Sequence, residues 1–174
     1  MARTVLTKPD IDRALKRIAH EIVESQRGAQ GLLFLGIPTR GVHLAKRLAQ
    51  NVAEIEPQPI DVGTLDVTEF RDDLVDAPTR SLSASETPAN GIDGATVILV
   101  DDVLFTGRTA RAALDAITAL GRPSIVRLAV LVDRGHREFP IRADFVGKNL
   151  PSAHDERVNV CLSEVDDSDE VTIA

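Results

Sequence analysis

The chain is 174 residues long, and its 20 Lys and Arg residues against 27 Asp and Glu residues give a formal net charge of −7. A hydrophobic fraction of 43% and a charged fraction of 27% are typical of one globular domain and exclude a disordered chain or a disulfide scaffold. Because nucleic-acid binders are usually basic overall, the negative charge confines any RNA site to a local patch.

Two further classes of protein and site are not expected from this composition. No apolar run approaches the roughly 18 residues that cross a bilayer, and the first residues lack the pattern of a signal peptide. We therefore expect a cytoplasmic protein without membrane contact. The single Cys161 and the four scattered histidines lack metal-ligand spacing, so we expect no metal site formed by a cluster of protein side chains.

The first half of the chain is predicted to alternate between helices and strands. A threonine, a proline and an aspartate within residues 7–10 mark a helix start, and apolar residues recur at helical spacing through Ile22. The apolar run 32–35 is typical of a strand buried on both faces. Helical spacing returns from Gly41, and residues 60–67 alternate well enough for a second strand.

The second half continues the same alternation after a long interruption. Residues 71–94 carry no periodicity and predict a flexible loop. A buried strand at 96–100, a helix at 110–120 and a strand at 125–132 follow, and residues 155–174 form an acidic tail. Strands alternating with helices predict a single α/β domain over the whole chain, with a parallel sheet and right-handed crossovers.

The segment 97–109 carries the clearest chemistry. A buried strand delivers Asp101 and Asp102 at its carboxyl end, where ligands of α/β sheets bind. The next residues, Thr106–Thr109, open a helix whose N-terminal N–H groups and Gly107 suit a phosphate. The two carboxylates suit hydroxyl groups or a Mg²⁺ ion on the same ligand. A ligand with a phosphate at one end and a diol in the middle is a ribose 5-phosphate.

This segment resembles the phosphoribosyl-pyrophosphate (PRPP) motif of type I phosphoribosyltransferases. Residues 35–48, 65–74 and 132–149 resemble one branch of that group, the PyrR family of pyrimidine operon regulators that are also uracil phosphoribosyltransferases. The resemblance runs from the first helix to about Val165. It implies a parallel-sheet type I phosphoribosyltransferase fold with a small hood and a flexible loop.

The resemblance also implies which residues bind the substrate. Asp101, Asp102, Arg40 and Arg71 are expected to serve catalysis, with Mg²⁺ bound together with PRPP near the two aspartates. Uracil, PRPP and UMP are expected to contact Thr39, Arg40, Gly41, Leu104, Phe105, Thr106, Gly107, Arg108, Thr109, Arg134, Phe145 and Val146. In the hood, Phe145 is expected to stack on uracil while the backbone of Val146 reads the edge of the base. Purine phosphoribosyltransferases commonly have an aspartate where this chain has Phe105, which argues against a purine substrate.

RNA binding is the second activity that the resemblance implies. Residues 134–151 are basic and irregular in an otherwise acidic protein. The residues expected to contact the leader mRNA of the pyrimidine operon, in a protein that is a homodimer or a higher homo-oligomer, are Lys16, His20, His136, Arg137, Arg142, Lys148 and Ser152.

Each assignment has a structural alternative. These alternatives are a plain strand-to-helix turn for residues 39–41, a solvated loop position for Arg71, a core position for Phe145, and solvated surface charge for the cations. At the level of function, the alternatives are a plain uracil salvage enzyme without RNA binding and a nucleotide sensor without catalysis.

Overall fold

The computed structural model describes residues 1–72 and 85–174. This part of the chain contains three α-helices, α1 (Lys8–Gln26), α2 (Arg40–Ile55) and α3 (Arg108–Leu120), and one turn of 3₁₀ helix at Thr68–Phe70. Its strands are β1 (Arg3–Leu6), β2 (Leu32–Gly36), β3 (Asp61–Thr64), β4 (Thr96–Leu104), β5 (Ile125–Asp133), β6 (Phe145–Asn149), β7 (Val158–Cys161) and β8 (Glu170–Ile173).

The larger sheet contains five parallel strands in the order β3-β2-β4-β5-β6, which confirms the predicted α/β architecture. Alternate residues of β2 point to opposite faces, as a strand requires. Phe34 packs with helices α1 and α2 in one apolar cluster, whereas Leu33 and Leu35 pack with helix α3 in the other. The sheet is therefore covered on both faces, and its ligand-binding edge lies at the carboxyl ends of the strands.

A second, smaller sheet joins the two ends of the chain in the antiparallel order β1-β8-β7. Two of its strands, β7 and β8, lie within residues 155–174, which the sequence predicted as an acidic tail. The strands form there because Val160, Val171 and Ile173 alternate with polar residues and are buried in the cluster beneath α1 and α2. Short strands with one buried face thus fold an acidic segment onto the domain.

The predicted loop at 71–94 is only partly described, since residues 73–84 lie outside the described ranges. The part that follows is attached to β3 by two backbone hydrogen bonds between Thr64 and Glu86, of 2.8 and 2.9 Å. Farther on, Ile92 is buried in the α3-side cluster. Across the described residues, no helix is both long enough and apolar enough to span a membrane.

Candidate active site

The loop between β4 and α3 forms the wall of a cavity of about 330 Å³. Gly107 caps the helix with φ = 92°, a left-handed conformation that glycine adopts at little cost. The Arg108 N–H donates to Thr106 Oγ1 at 3.2 Å, which closes the turn. The cavity brings together eight of the predicted site residues, Arg71, Asp101, Leu104, Phe105, Thr106, Gly107, Arg108 and Thr109.

Asp101 and Asp102, which we call the acid pair, lie just before this loop, within strand β4. Both side chains are half-buried, and the N–H of Asp102 donates to Asp101 Oδ1 at 2.9 Å. Burial raises the pKa of Asp101 well above its ordinary value, and the nearby Asp102 carboxylate raises it further, while Arg71 acts in the opposite direction. A bound cation or hydroxyl donor would therefore relieve an unfavourable pair of charges.

The donor set at this edge fits a Mg²⁺ ion that is held mainly by its substrate. Mg²⁺ is usually bound through one or two carboxylates together with substrate phosphates and water. Asp101 and Asp102 provide two adjacent carboxylates, and no group of three metal-ligating side chains occurs in residues 1–72 and 85–174. Asp101 and Asp102 are therefore the residues that would hold such an ion.

The turn at residues 39–41 leads from the β2 connection into the start of α2, and it packs directly against strand β4, which carries the acid pair. The Ile37 N–H donates to the Val100 carbonyl at 2.9 Å. A Cβ atom at Gly41 would overlap the same carbonyl, so only glycine lets the helix start approach β4 this closely. The predicted pyrophosphate turn and the acid pair are thus neighbours at one edge of the sheet.

The Arg40 side chain binds Asp166, a partner that the sequence did not suggest. Its Nη2 and Nε atoms donate to the two carboxylate oxygens of Asp166, at 2.9 and 3.2 Å. This hydrogen-bonded ion pair raises the pKa of Arg40 and lowers the pKa of Asp166. The two residues are 126 positions apart, so no local pattern could have indicated the pair.

Residues 134–141 pack against the turn at residues 106–109, which we call the predicted phosphate loop, and Glu138 lines the same cavity. The N–H groups of Glu138 and Phe139 donate to the Thr106 carbonyl at 2.8 and 3.0 Å. The Arg134 N–H donates to the Leu104 carbonyl at 3.1 Å. Since three backbone bonds connect the two segments, the first half of the basic region predicted to bind RNA packs against the loop between β4 and α3.

Arg137, one of the predicted RNA contacts, makes several hydrogen bonds inside the domain. All three of its guanidinium nitrogens bind internal acceptors, namely the carbonyls of Ile141 and Phe105, both at 2.8 Å, and Asp133 Oδ2 at 2.5 Å. These bonds use three of the five guanidinium N–H donors, and the Arg137 side chain is 23% exposed. Arg137 thus supports the loop between β4 and α3 from within the domain, and its contact with RNA stays a prediction.

His136 and Ser152 also contact residues within the domain. Ser152 Oγ accepts a hydrogen bond from Arg134 Nε at 3.1 Å, and its carbonyl oxygen lies 2.5 Å from His136 Nε2. The Arg134 guanidinium lies 4.2 Å from the centre of the Phe105 ring, and His154 packs against the same ring at 5.7 Å. Arg134 is buried and lies over the Phe105 ring, and its contact with the substrate stays a prediction.

The predicted base-binding residues are placed differently from the expectation. Phe145 is only 6% exposed and belongs to the core cluster, so its ring has no free face for a uracil. The Val146 carbonyl accepts hydrogen bonds from both Nη atoms of Arg17 at 3.2 Å. The core alternative is therefore the better description of Phe145.

Four of the predicted RNA contacts remain on the surface. Their side chains are exposed, and none makes a hydrogen bond or an ion pair with another described residue; they are Lys16, His20, Arg142 and Lys148. Arg17 links α1 to β6 through the carbonyls of Val146 and Gly147. This link sets the helix carrying Lys16 and His20 beside the strand carrying Lys148.

Comparison with known proteins identifies relatives over nearly the whole chain. The model of the phosphoribosyl transferase domain matches residues 1–163. The bifunctional protein PyrR of Leifsonia xyli subsp. xyli is 61% identical over 178 residues, which cover 99% of this chain and 97% of the relative. The bifunctional protein PyrR of Streptomyces coelicolor is 59% identical, covering 99% and 89%, and that of Bacillus pumilus is 53% identical, covering 97% and 95%.

Solved structures support the same fold at much lower identity. A hypoxanthine phosphoribosyltransferase from Staphylococcus aureus superposes with a TM-score of 0.71 at 19% identity, covering 97% of this chain and 90% of the other. The hypoxanthine phosphoribosyltransferase of Trypanosoma cruzi gives 0.73 at 16% identity, covering 98% and 95%. At such identities the likeness concerns the fold alone.

Proposed function

Because the chain belongs to the phosphoribosyl transferase domain family and, within it, to the PyrR proteins, we propose that it is a bifunctional regulator of pyrimidine nucleotide biosynthesis. It converts uracil and PRPP to UMP and diphosphate, and it binds the leader mRNA of the pyrimidine operon in a UMP-dependent manner. Such binding acts by transcription attenuation or by translational repression. Its substrates and its RNA are cytoplasmic, and we place the protein there.

One observation carries the enzymatic part of the proposal. Asp101 and the turn at residues 106–109 border a single cavity at the carboxyl edge of a parallel sheet, and Asp102 follows Asp101 in strand β4. A 5-phosphate on the helix N-terminus leaves the ribose hydroxyls within reach of Asp101 and Asp102. The turn at residues 39–41 lies on the other side of the same carboxylates and suits the pyrophosphate.

The reaction requires positioning and electrostatic stabilisation from these residues. The bond between C1 of the ribose and the pyrophosphate oxygen breaks, N1 of uracil bonds to C1, and the N1 proton leaves. Positive charge develops on the ribose, so the carboxylates stabilise the transition state while they hold the hydroxyls. A Mg²⁺ ion bound with PRPP would neutralise charge on the leaving pyrophosphate. Arg71, on the cavity wall, is suited to cover the same group.

The choice of a pyrimidine rests on Phe105. This residue stands where purine enzymes of the fold commonly place an aspartate, and its ring is fixed between Arg134 and two histidines, His136 and His154. An apolar ring at this place provides no acceptor for a purine nitrogen. The relatives from Leifsonia and Streptomyces carry the PyrR name, which agrees with a pyrimidine substrate.

The RNA-binding part rests on the exposed cations of α1 and of the segment after β5. Lys16, His20, Arg142 and Lys148 can hold phosphates or stack on unpaired bases. Two copies of this chain would double that surface, and we propose a homodimer or a higher homo-oligomer as the RNA-binding form.

A direct assay tests the enzymatic proposal. Purified protein with Mg²⁺, PRPP and uracil is expected to release UMP and diphosphate in equal amounts. Hypoxanthine and guanine in place of uracil serve as controls and are expected to give no nucleotide. Turnover of a purine, or no UMP from uracil in a protein that is folded, would contradict the proposal.

A further inference from the structure

The acidic segment Leu162–Asp169, which we call the acidic loop, holds the first turns of helix α2. Asp166 pairs with Arg40, the first residue of the helix, and Asp169 pairs with Arg47, two turns later, at 2.9 Å. Glu164 makes a further ion pair with Arg47. The acidic loop therefore contacts the end of the helix that is nearest to the pyrophosphate turn.

The acidic loop is also ordered by its own backbone, so its carboxylates are fixed in place. Asp166 Oδ2 accepts the Leu162 N–H at 2.8 Å, and the Asp166 N–H donates to the Leu162 carbonyl at 2.6 Å. Leu162 is completely buried and anchors this turn in the core. Asp169 Oδ1 accepts the Ser163 N–H at 2.7 Å in the same way. Each aspartate thus joins the loop to itself and to the helix.

Arg40 can serve PRPP in one of two ways. It can leave Asp166 and bind the pyrophosphate directly, or it can stay with Asp166 and hold the turn whose N–H groups bind the pyrophosphate. The bidentate pair occupies Nε and Nη2, which form one edge of the planar guanidinium, and such pairs fix orientation as well as charge. Because Asp166 is held by Leu162 as well, the observed geometry favours the second way.

We propose that Asp166 is a positioning residue for PRPP: it holds Arg40, and Arg40 holds the Thr39–Gly41 turn in the form that binds pyrophosphate. Arg40 is then an anchor, not the direct ligand that the sequence resemblance implies. The inference rests on the proposed function, since it assigns this turn to the pyrophosphate. It adds a part of the chain, the acidic loop, that the phosphate and ribose contacts do not require.

The two roles of Arg40 predict opposite results for Asp166→Asn. If Arg40 is the anchor, losing the carboxylate loosens the turn, and we expect KM for PRPP to rise about tenfold, the size of effect that about 1.4 kcal/mol produces. If Arg40 is a ligand that Asp166 withholds, the same variant frees it and KM for PRPP falls. UMP has no pyrophosphate, so its dissociation constant by calorimetry is expected to stay within about twofold. Asp167→Asn, at an exposed neighbour of equal charge, is the matched control and is expected to change neither value.

A double-mutant cycle with Arg40→Gln separates positioning from a general loss of structure. As partners in one pair, Asp166→Asn and Arg40→Gln are expected to raise KM for PRPP by similar factors, and the double variant no further. Asp166→Glu keeps the charge if the amide variant does not fold, and its rise in KM is expected to be smaller. A fall or no change in KM for the Asp166 variants overturns the proposal. A wild-type protein that binds neither UMP nor PRPP overturns the proposed function instead.

Discussion

Arg134 and Arg137, which we call the inner pair, differ from Arg142 and Lys148, the outer pair, although all four belong to one basic stretch of sequence. The inner pair donates to carbonyls and to the Asp133 carboxylate within the domain. The outer pair is exposed, and its side chains meet no hydrogen-bonding partner in the described ranges.

The difference shows that the carbonyl groups of irregular backbone near a site need hydrogen-bond donors, just as a bound ligand does. Carbonyls in a loop that is not part of a sheet must still find partners, because a buried polar group without one is costly. Phe105 and Ile141 have such carbonyls, and Arg137 satisfies both. A run of positive charge therefore does not identify an RNA surface until the internal acceptors have been counted.

Substitution of the acid pair has the largest expected effect, and it tests whether the cavity that Asp101 borders is the catalytic site. Asp101→Asn with Asp102→Asn removes the charges that hold the ribose hydroxyls, and we expect UMP formation to fall at least about 100-fold, as when a fixed transition-state contact is lost. RNA affinity measured without UMP is expected to stay within about twofold, since the outer pair is intact. Thermal unfolding is the control for folding. Normal turnover by the folded variant would contradict the site assignment.

The phosphate loop gives the next largest effect. In Gly107→Val, a branched side chain must adopt φ = 92° and press on Phe139 and Ile141. We expect the dissociation constant for UMP, measured by calorimetry, to rise about 10- to 100-fold, because strain of about 1–3 kcal/mol is placed where the phosphate binds. Gly91→Val is the matched control, since Gly91 also has positive φ but nothing near its Cβ position. Unchanged UMP affinity in the Gly107 variant would place the phosphate elsewhere.

The inner and outer cations are distinguished most simply by how much a substitution at each lowers the free energy of unfolding. Arg137→Gln removes the guanidinium donors to two carbonyls and to Asp133 Oδ2, and we expect the free energy of unfolding in urea to fall by about 1–3 kcal/mol. Arg142→Gln, an exposed position in the same stretch, is the control and is expected to change it by less than about 0.5 kcal/mol. Equal effects of the two substitutions would remove the distinction between the pairs.

The outer pair itself gives a smaller effect, confined to RNA. Arg142→Gln with Lys148→Gln is expected to weaken binding of the leader RNA about tenfold and to reduce the slope of log affinity against log salt by about two, one for each lost phosphate contact. UMP formation is expected to stay at the wild-type rate. A variant that loses catalysis along with RNA binding would show that these residues serve the nucleotide site.

Much of the fold was predictable because its central elements have strong apolar patterns. The helical stripe that reaches Ile22 and the apolar run at 32–35 both mark elements that the structure contains. The missed strands β1, β6, β7 and β8 have four or five residues each, and most carry charged residues. A strand with one or two buried side chains has too little pattern to stand out from a loop.

The candidate site was predictable from residue spacing alone only where it is contiguous in the sequence. Residues 101–109 run from one carboxylate to the phosphate turn, so the spacing alone indicates their chemistry. The pairing of Arg40 with Asp166 and of Arg137 with Phe105 depends on how distant segments meet. For the same reason Phe145 looked like a stacking ring in the sequence and lies in the core of the fold.

The most direct test of the whole account is a titration of labelled leader RNA of the host's pyrimidine operon with protein, with and without UMP. If one domain carries both a nucleotide site and an RNA surface, we expect a saturable, salt-sensitive complex that UMP tightens by about tenfold, a coupling of about 1.4 kcal/mol. The same affinity with and without UMP, or no complex at all, would contradict this account and leave a plain uracil salvage enzyme as the better description.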